Sequence, residues 1–150
     1  MRVHYMRFTP WVVSEHVPDF STLENLVKSP RFAGLKDEAL AVALWGLMVD
    51  RELGLFHYCP AQEALWRKDS HDPLLTFNVF GFTICHVHAH VLALLARAAG
   101  LPARIANISG HEGTEIFYAG KWHYFDADVQ YFHRKREPPY AIASREDLLR

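Results

Sequence analysis

The spacing of apolar positions along the chain changes period once, and the change divides it into a helical part and a stranded part. Over residues 36–53, Leu40, Leu44, Leu47 and Met48 recur at helical spacing, and Trp45 and Val49 widen the stripe. This predicts the first strong helix. Asp37 and Glu38 fall in its first turn, where carboxylates complement the helix dipole, and Gly54 is the expected stop. Residues 83–99 are apolar nearly all round: Ile84, Val87, Ala89, Val91, Leu92, Leu94, Leu95 and Ala96. A helix of that kind lies at the centre of a domain. Thr83 is its expected N-cap and Gly100 its C-terminal cap, and Pro102 forbids continuation. The period then drops to two. Residues 103–108 predict a strand, and residues 114–118 and 121–125 predict a hairpin joined at Ala119-Gly120.

The flanking segments are less regular. Residues 1–20 are aromatic-rich and interrupted by Pro10 and Pro18, which predicts an extended arm or short strand. Ser21-Thr22 followed by Glu24 predicts a short helix that stops near Ser29-Pro30. Residues 55–80 read as irregular, with a short helix from Pro60 through Trp66 and a turn at Asp72-Pro73. Residues 128–139 read as a loop. Ser144 opens a last helical turn with Glu146 and Asp147 at its beginning. The sequence stops inside that helix, the expectation for a natural chain that continues into flanking domains. Helices first and an antiparallel sheet afterwards make one α+β domain over residues 1–150.

Composition narrows the function classes. Half of the 150 residues are apolar, and 16 basic residues face 17 acidic ones. That balance predicts neither a nucleic-acid partner nor binding to an anionic membrane. No apolar run is long enough to span a bilayer, and the N-terminal stretch lacks the continuous apolar core of a secretory signal. A cytoplasmic setting is the default. Two cysteines, Cys59 and Cys85, are too few for a disulfide scaffold, although one bridge between them is conceivable.

Four of the ten histidines fall between His86 and His111, and placement gives this clustering a chemical reading. From Cys85 the helix runs about 15 residues, roughly 21 Å at about 1.5 Å per residue. The returning strand covers about 25 Å over seven or eight residues. If the strand runs antiparallel to the helix, His111 arrives level with Cys85. If the hairpin loop is the two-residue Ala119-Gly120, position 113 faces 126. His111 and Asp126 then share one face of the sheet as near-diagonal neighbours about 7–8 Å apart. A bulged turn would shift that register, and Asp128 would stand in for Asp126. A thiolate at a helix N-terminus is stabilised by the dipole and the free N–H groups. An imidazole beside it completes its activation, and a carboxylate behind the imidazole fixes its tautomer. These roles fall to Cys85, His111 and Asp126. The Cys85 N–H supplies half of an oxyanion hole, with Asn78 or Trp66 as the candidate second donor.

The stretches GFTIC, AHVLALLARAAGLPARI and GHEGTEIFYAGKWHYFDAD together resemble the transglutaminase-like domain of the papain-like cysteine-enzyme superfold. The likeness covers residues 78–128. In that family a Cys opens the central helix, a segment here spanning Arg97 to Arg104 leads into the sheet, and a His begins the next strand with a Glu four positions on. A strand here spanning Trp122 to Asp126 then ends in the Asp. The resemblance implies helices packed on a small antiparallel sheet, and thioester chemistry at Cys85 on a peptide or amide substrate. The acyl group passes to water or to an amine, with hydrolysis the expected outcome, and the chemical step needs no cofactor. One departure is Gly113, where the family carries an aromatic residue, so the shape beside the site is expected to differ.

Simpler readings compete with each assignment. Cys85 can be an ordinary buried thiol, and the fold can serve as a non-catalytic binding module. The run from Cys85 to His90 also suggests metal. His86 and His90 are four apart on a helix and can chelate a transition ion, with Cys85 and His88 on another face. No Glu sits between the two histidines as a metalloprotease pattern requires. His88, one turn below Cys85, is otherwise expected to line the floor of the site. Glu115 is expected to pair with Arg104. Trp122, Phe117 and Tyr124 are expected to pack the sheet.

Overall fold

The computed structural model describes residue 14 and residues 17–57 and 71–150. Most of the expected N-terminal arm, the Pro60–Trp66 helix, Cys59 and Trp66 lie outside the described residues.

The first helix, α1 (Leu23–Val27), is capped by Thr22, whose hydroxyl accepts from the Asn25 N–H at 3.0 Å. Helix α2 (Asp37–Met48) opens with the two acidic residues expected there, and Leu40, Leu44, Leu47 and Met48 are buried. It ends six residues before Gly54. That glycine instead sits in a tight turn, its N–H on the Asp50 carbonyl at 3.0 Å. A Cβ there would come within 2.5 Å of the Met48 and Asp50 carbonyl oxygens, so backbone crowding and not helix capping explains the glycine.

Asp72-Pro73 is a helix start and not only a turn. The Asp72 carboxylate accepts from the N–H groups of Leu74 and Leu75 at 2.8 and 3.3 Å, with Pro73 at the first helical position of α3 (Pro73–Leu75). A π-helical stretch, Thr76–Phe80, continues it to Gly81.

Two two-residue strands, β1 (Phe56–His57) and β2 (Phe82–Thr83), pair in parallel. Thr83 is therefore in a strand and does not cap the next helix. The central helix α4 (Cys85–Ala98) begins at Cys85 with Ile84 at the N-cap, which offers no side-chain cap. Its buried positions include Val91, Leu92, Leu95 and Ala96, which form one core with Leu44 and Leu47 of α2 and with Ile116 and Phe125 of the sheet.

The sheet is antiparallel in the order β3 (Ala103–Ile108), β4 (His111–Tyr118), β5 (Lys121–Phe125). Tyr118 pairs with Lys121, and Ala119 and Gly120 both have positive φ, +49° and +75°, as a type I′ loop requires. The alanine carries a cost of about 1 kcal/mol in that conformation, and the two-residue register holds nonetheless. β4 starts three residues earlier than the sequence pattern suggests, because Ser109 and Gly110 make a second tight turn with φ of +52° and +87°. The Thr114 hydroxyl donates to the Ala89 carbonyl at 2.8 Å and fixes the sheet against α4. A last short helix, α5 (Arg145–Leu148), has a full capping box between Ser144 and Asp147. The result is an α+β arrangement. Among the described residues no helix is long and apolar enough to cross a membrane.

Candidate active site

Three elements converge beside Cys85. The first is the start of α4, which carries Cys85 as a half-buried free thiol. Ile84 at its N-cap has no side chain that could take the N–H groups of its first turn. The second is the start of β4, where His111 pairs with Ile108 across the new turn. The third is the end of β5, which leads directly into Asp126.

The His111 Nε2 lies 2.5 Å from the Asp126 Oδ2. Asp126 is fully buried, and its other oxygen accepts from the N–H groups of Asp128 and Val129, each at 3.0 Å. Trp45 of α2 donates to the Asp126 backbone carbonyl at 2.8 Å. The Asp126 carboxylate, with its backbone also held by Trp45, holds the imidazole in turn. The Cys85 Sγ, a ring nitrogen of His111 and a carboxylate oxygen of Asp128 all lie within 4.8 Å of one another.

Asp128 is a full participant in the cluster, although the register did not slip. Its Oδ1 is 2.6 Å from the His57 Nδ1 and 3.1 Å from the His88 Nδ1. Burial pushes the Asp128 carboxyl up, but hydrogen bonds and charge from His88 and His57 outweigh it and hold the group below its usual range. His88 lies beneath the site as expected, 1% exposed, its Nδ1 also 3.2 Å from the Ile84 carbonyl. His57 was not singled out from the sequence. It reaches the site through the β1–β2 pairing, and the only sequence signal for it was a histidine in a short apolar-aromatic run, which is too weak to act on.

The remaining expected residues are placed as follows. Asn78 is exposed, and its amide donates to the Phe20 carbonyl at 3.0 Å. Gly113 lies against Tyr124: a Cβ at 113 would meet the Tyr124 hydroxyl at 2.4 Å and its ring at 2.5 Å. The aromatic ring beside the site thus comes from β5, across the sheet, and occupies the space that the missing side chain leaves. Burial, then the charges of Asp126 and Tyr131, raise the pKa of the buried Tyr124 hydroxyl, so that it stays protonated. Arg104 forks onto the Glu115 Oε2 at 2.7 and 2.9 Å, the pairing read from the sequence, and also stacks over Trp122 at 4.1 Å. The run from Cys85 to His90 does not gather into one metal cluster. Cys85 faces His111 and Asp128, His86 pairs with Glu112, and His88 pairs with Asp128.

Residues 53–134 match the family model of the transglutaminase-like superfamily. The chain belongs to that superfamily. The match spans more than half of its length and contains every residue of the cluster just described. A search of the curated proteins found no match, and neither did a search of the solved structures.

Proposed function

We propose that this transglutaminase-like protein is a cysteine-dependent acyl-transfer enzyme. It cleaves amide or peptide bonds through a thioester on Cys85, with hydrolysis favoured over cross-linking. The observation that carries the reading is the placement of the Cys85 thiol beside an imidazole whose Nε2 is held by a buried carboxylate.

With Nε2 on Asp126, the Nδ1 of His111 is the nitrogen left for the thiol. It takes the proton of Cys85, and the sulfur attacks the amide carbonyl carbon, forming a C–S bond. The carbonyl oxygen becomes an oxyanion, and the uncapped Cys85 N–H is its donor. The C–N bond then breaks as His111 returns the proton to the departing amine. Water, deprotonated by His111, attacks the thioester and releases the acid and the free thiol. Asp126 orients the ring and stabilises its charged form throughout. Nothing in this sequence of steps calls for a cofactor.

The test is alkylation by iodoacetamide with mass spectrometry to locate the label, followed by a screen of peptide amides. Selective labelling of Cys85 that slows by about 10-fold or more in His111→Ala is expected for an imidazole-activated thiol. Labelling that is indifferent to His111 would instead favour the non-catalytic module.

A further inference from the structure

Beside the catalytic cluster lies a second group of imidazoles that the reaction does not use. His86 and His90 are one turn apart on α4, and His71, which precedes α3, joins them from a different part of the chain. The His71 ring centroid is 5.0 Å from that of His86 and 5.1 Å from that of His90. Glu112, at the start of β4, pairs with the Nδ1 of His86.

The geometry points to a binding site for a divalent transition ion of the zinc type, with His71, His86 and His90 as ligands and Glu112 as the carboxylate behind His86. The argument has three parts. First, a zinc–nitrogen bond of about 2.0–2.1 Å, with roughly 1.1 Å more to the ring centre, puts each centroid about 3.2 Å from the ion. Two ligands at the tetrahedral angle then have centroids about 5 Å apart, which two of the three separations already match. The third, between His86 and His90, is 6.5 Å. His71 stands nearly edge-on to both partners, at 81° and 80°. The nitrogens therefore do not yet converge, and side-chain rotation of these rings over a fixed helix is what an entering ion must bring about.

Second, Glu112 occupies the Nδ1 of His86 and so leaves Nε2 as its ligating nitrogen. Carboxylates behind metal-bound histidines fix tautomer and orientation in this way. Third, the donor set of nitrogens suits zinc, copper, nickel or cobalt and not the oxygen-seeking calcium or magnesium. Bound there, the ion would fasten residue 71 to the first turns of the helix that carries Cys85.

The experiment titrates zinc and cobalt into the metal-free full-length chain, by calorimetry and by the cobalt absorption spectrum. The catalytic cluster also offers a thiol, an imidazole and a carboxylate, so the measurement is repeated in Cys85→Ala. One equivalent is expected in both proteins, with no thiolate-to-cobalt charge-transfer band from this site. In the Cys85→Ala background, His71→Ala and His90→Gln are each expected to weaken binding by at least about 10-fold, and Glu112→Gln by about 10–100-fold. Circular dichroism checks that each variant is folded. Loss of all binding in Cys85→Ala would move the ion to the catalytic cluster and overturn the proposal, as would unchanged affinity in folded His71→Ala and His90→Gln, or no binding in the parent chain. Alkylation of Cys85 is read separately, so failure here leaves the acyl-transfer reading standing.

Discussion

Asp126 and Asp128 lie two residues apart, each holds an imidazole, and the two pairs differ in what else they touch. Asp126 holds His111 by one nitrogen, and the His111 side chain keeps 32% of its surface exposed, within reach of the thiol. Asp128 holds His88, whose side chain is 1% exposed. The His88 nitrogens also face the backbone carbonyls of Ile84 and Leu55 at 3.2 and 3.4 Å. A ring that is to trade protons with a substrate needs one open nitrogen. A ring that braces the approach to a helix is best saturated. The difference teaches that a carboxylate–imidazole pair has no function of its own: the second nitrogen decides it.

The comparison breaks at once if His88 and not His111 serves the thiol. His111→Ala is expected to cost about 10⁴-fold or more in kcat/KM on whichever amide the screen yields. Asp126→Asn is expected to cost less, on the order of 10³-fold, because it mis-sets the tautomer but leaves the ring in place. His88→Ala should show in stability. It leaves the buried Asp128 with His57 alone, and a loss of about 3 kcal/mol in urea unfolding is expected, the low end for breaking a buried pair. Full activity in His111→Ala, or an unfolding midpoint unmoved in His88→Ala, would erase the distinction.

How much of this was legible in the sequence depends on which interaction fixed each part. β3 and β5 begin and end where alternation placed them, and residues 118 and 121 pair as the short loop implied, because local periodicity and turn length determine both. His111 and Asp126 followed from that register. Asp126 and Asp128, by contrast, read from the sequence as alternatives, and the structure places both against imidazoles beside Cys85. The reason is the turn after β5, where the Asp126 side chain caps the N–H groups of Asp128 and Val129 and brings Asp128 back toward the thiol. The parallel β1–β2 pairing was invisible, since two-residue strands carry no period. It moved Thr83 out of the N-cap and brought His57 to Asp128. His71 escaped notice because its partners, His86 and His90, are distant in sequence, and only tertiary packing joins them.

A smaller effect sharpens the view of the catalytic side. Gly113→Ala adds one methyl where the buried Tyr124 ring already lies, 2.4–2.5 Å from its hydroxyl and ring carbon, so the ring must shift. A loss of about 1–3 kcal/mol is expected from overpacking, accompanied by reduced turnover, since the displaced ring belongs to the same strand end as Asp126. Thermal unfolding reads the first effect and kcat the second. A Gly113→Ala protein as stable and active as the parent would show that Tyr124 is free to swing away.

The smallest expected effect is a matter of pH, and it concerns Asp128. The Asp128 carboxyl is held below its usual range by the His88 and His57 contacts, despite the opposing push of burial. Near pH 4 the unfolded chain, whose aspartates have pKa values of about 3.9, binds more protons at this position than the folded chain does. Stability from the contact is therefore fully present above about pH 4 and is lost as pH falls through the lower, folded value. Asp147 complicates the same window, because its carboxyl is held at about 2 by hydrogen bonds from Lys135 and Ser144. Subtracting the urea-unfolding profile of Asp128→Asn from that of the parent removes the Asp147 contribution and leaves that of Asp128. The difference should be largest near pH 5 and shrink toward pH 3. A difference that grows with acidity would mean that Asp128 is held protonated in the folded chain, so that His88 is braced by the backbone carbonyls and not by a charge.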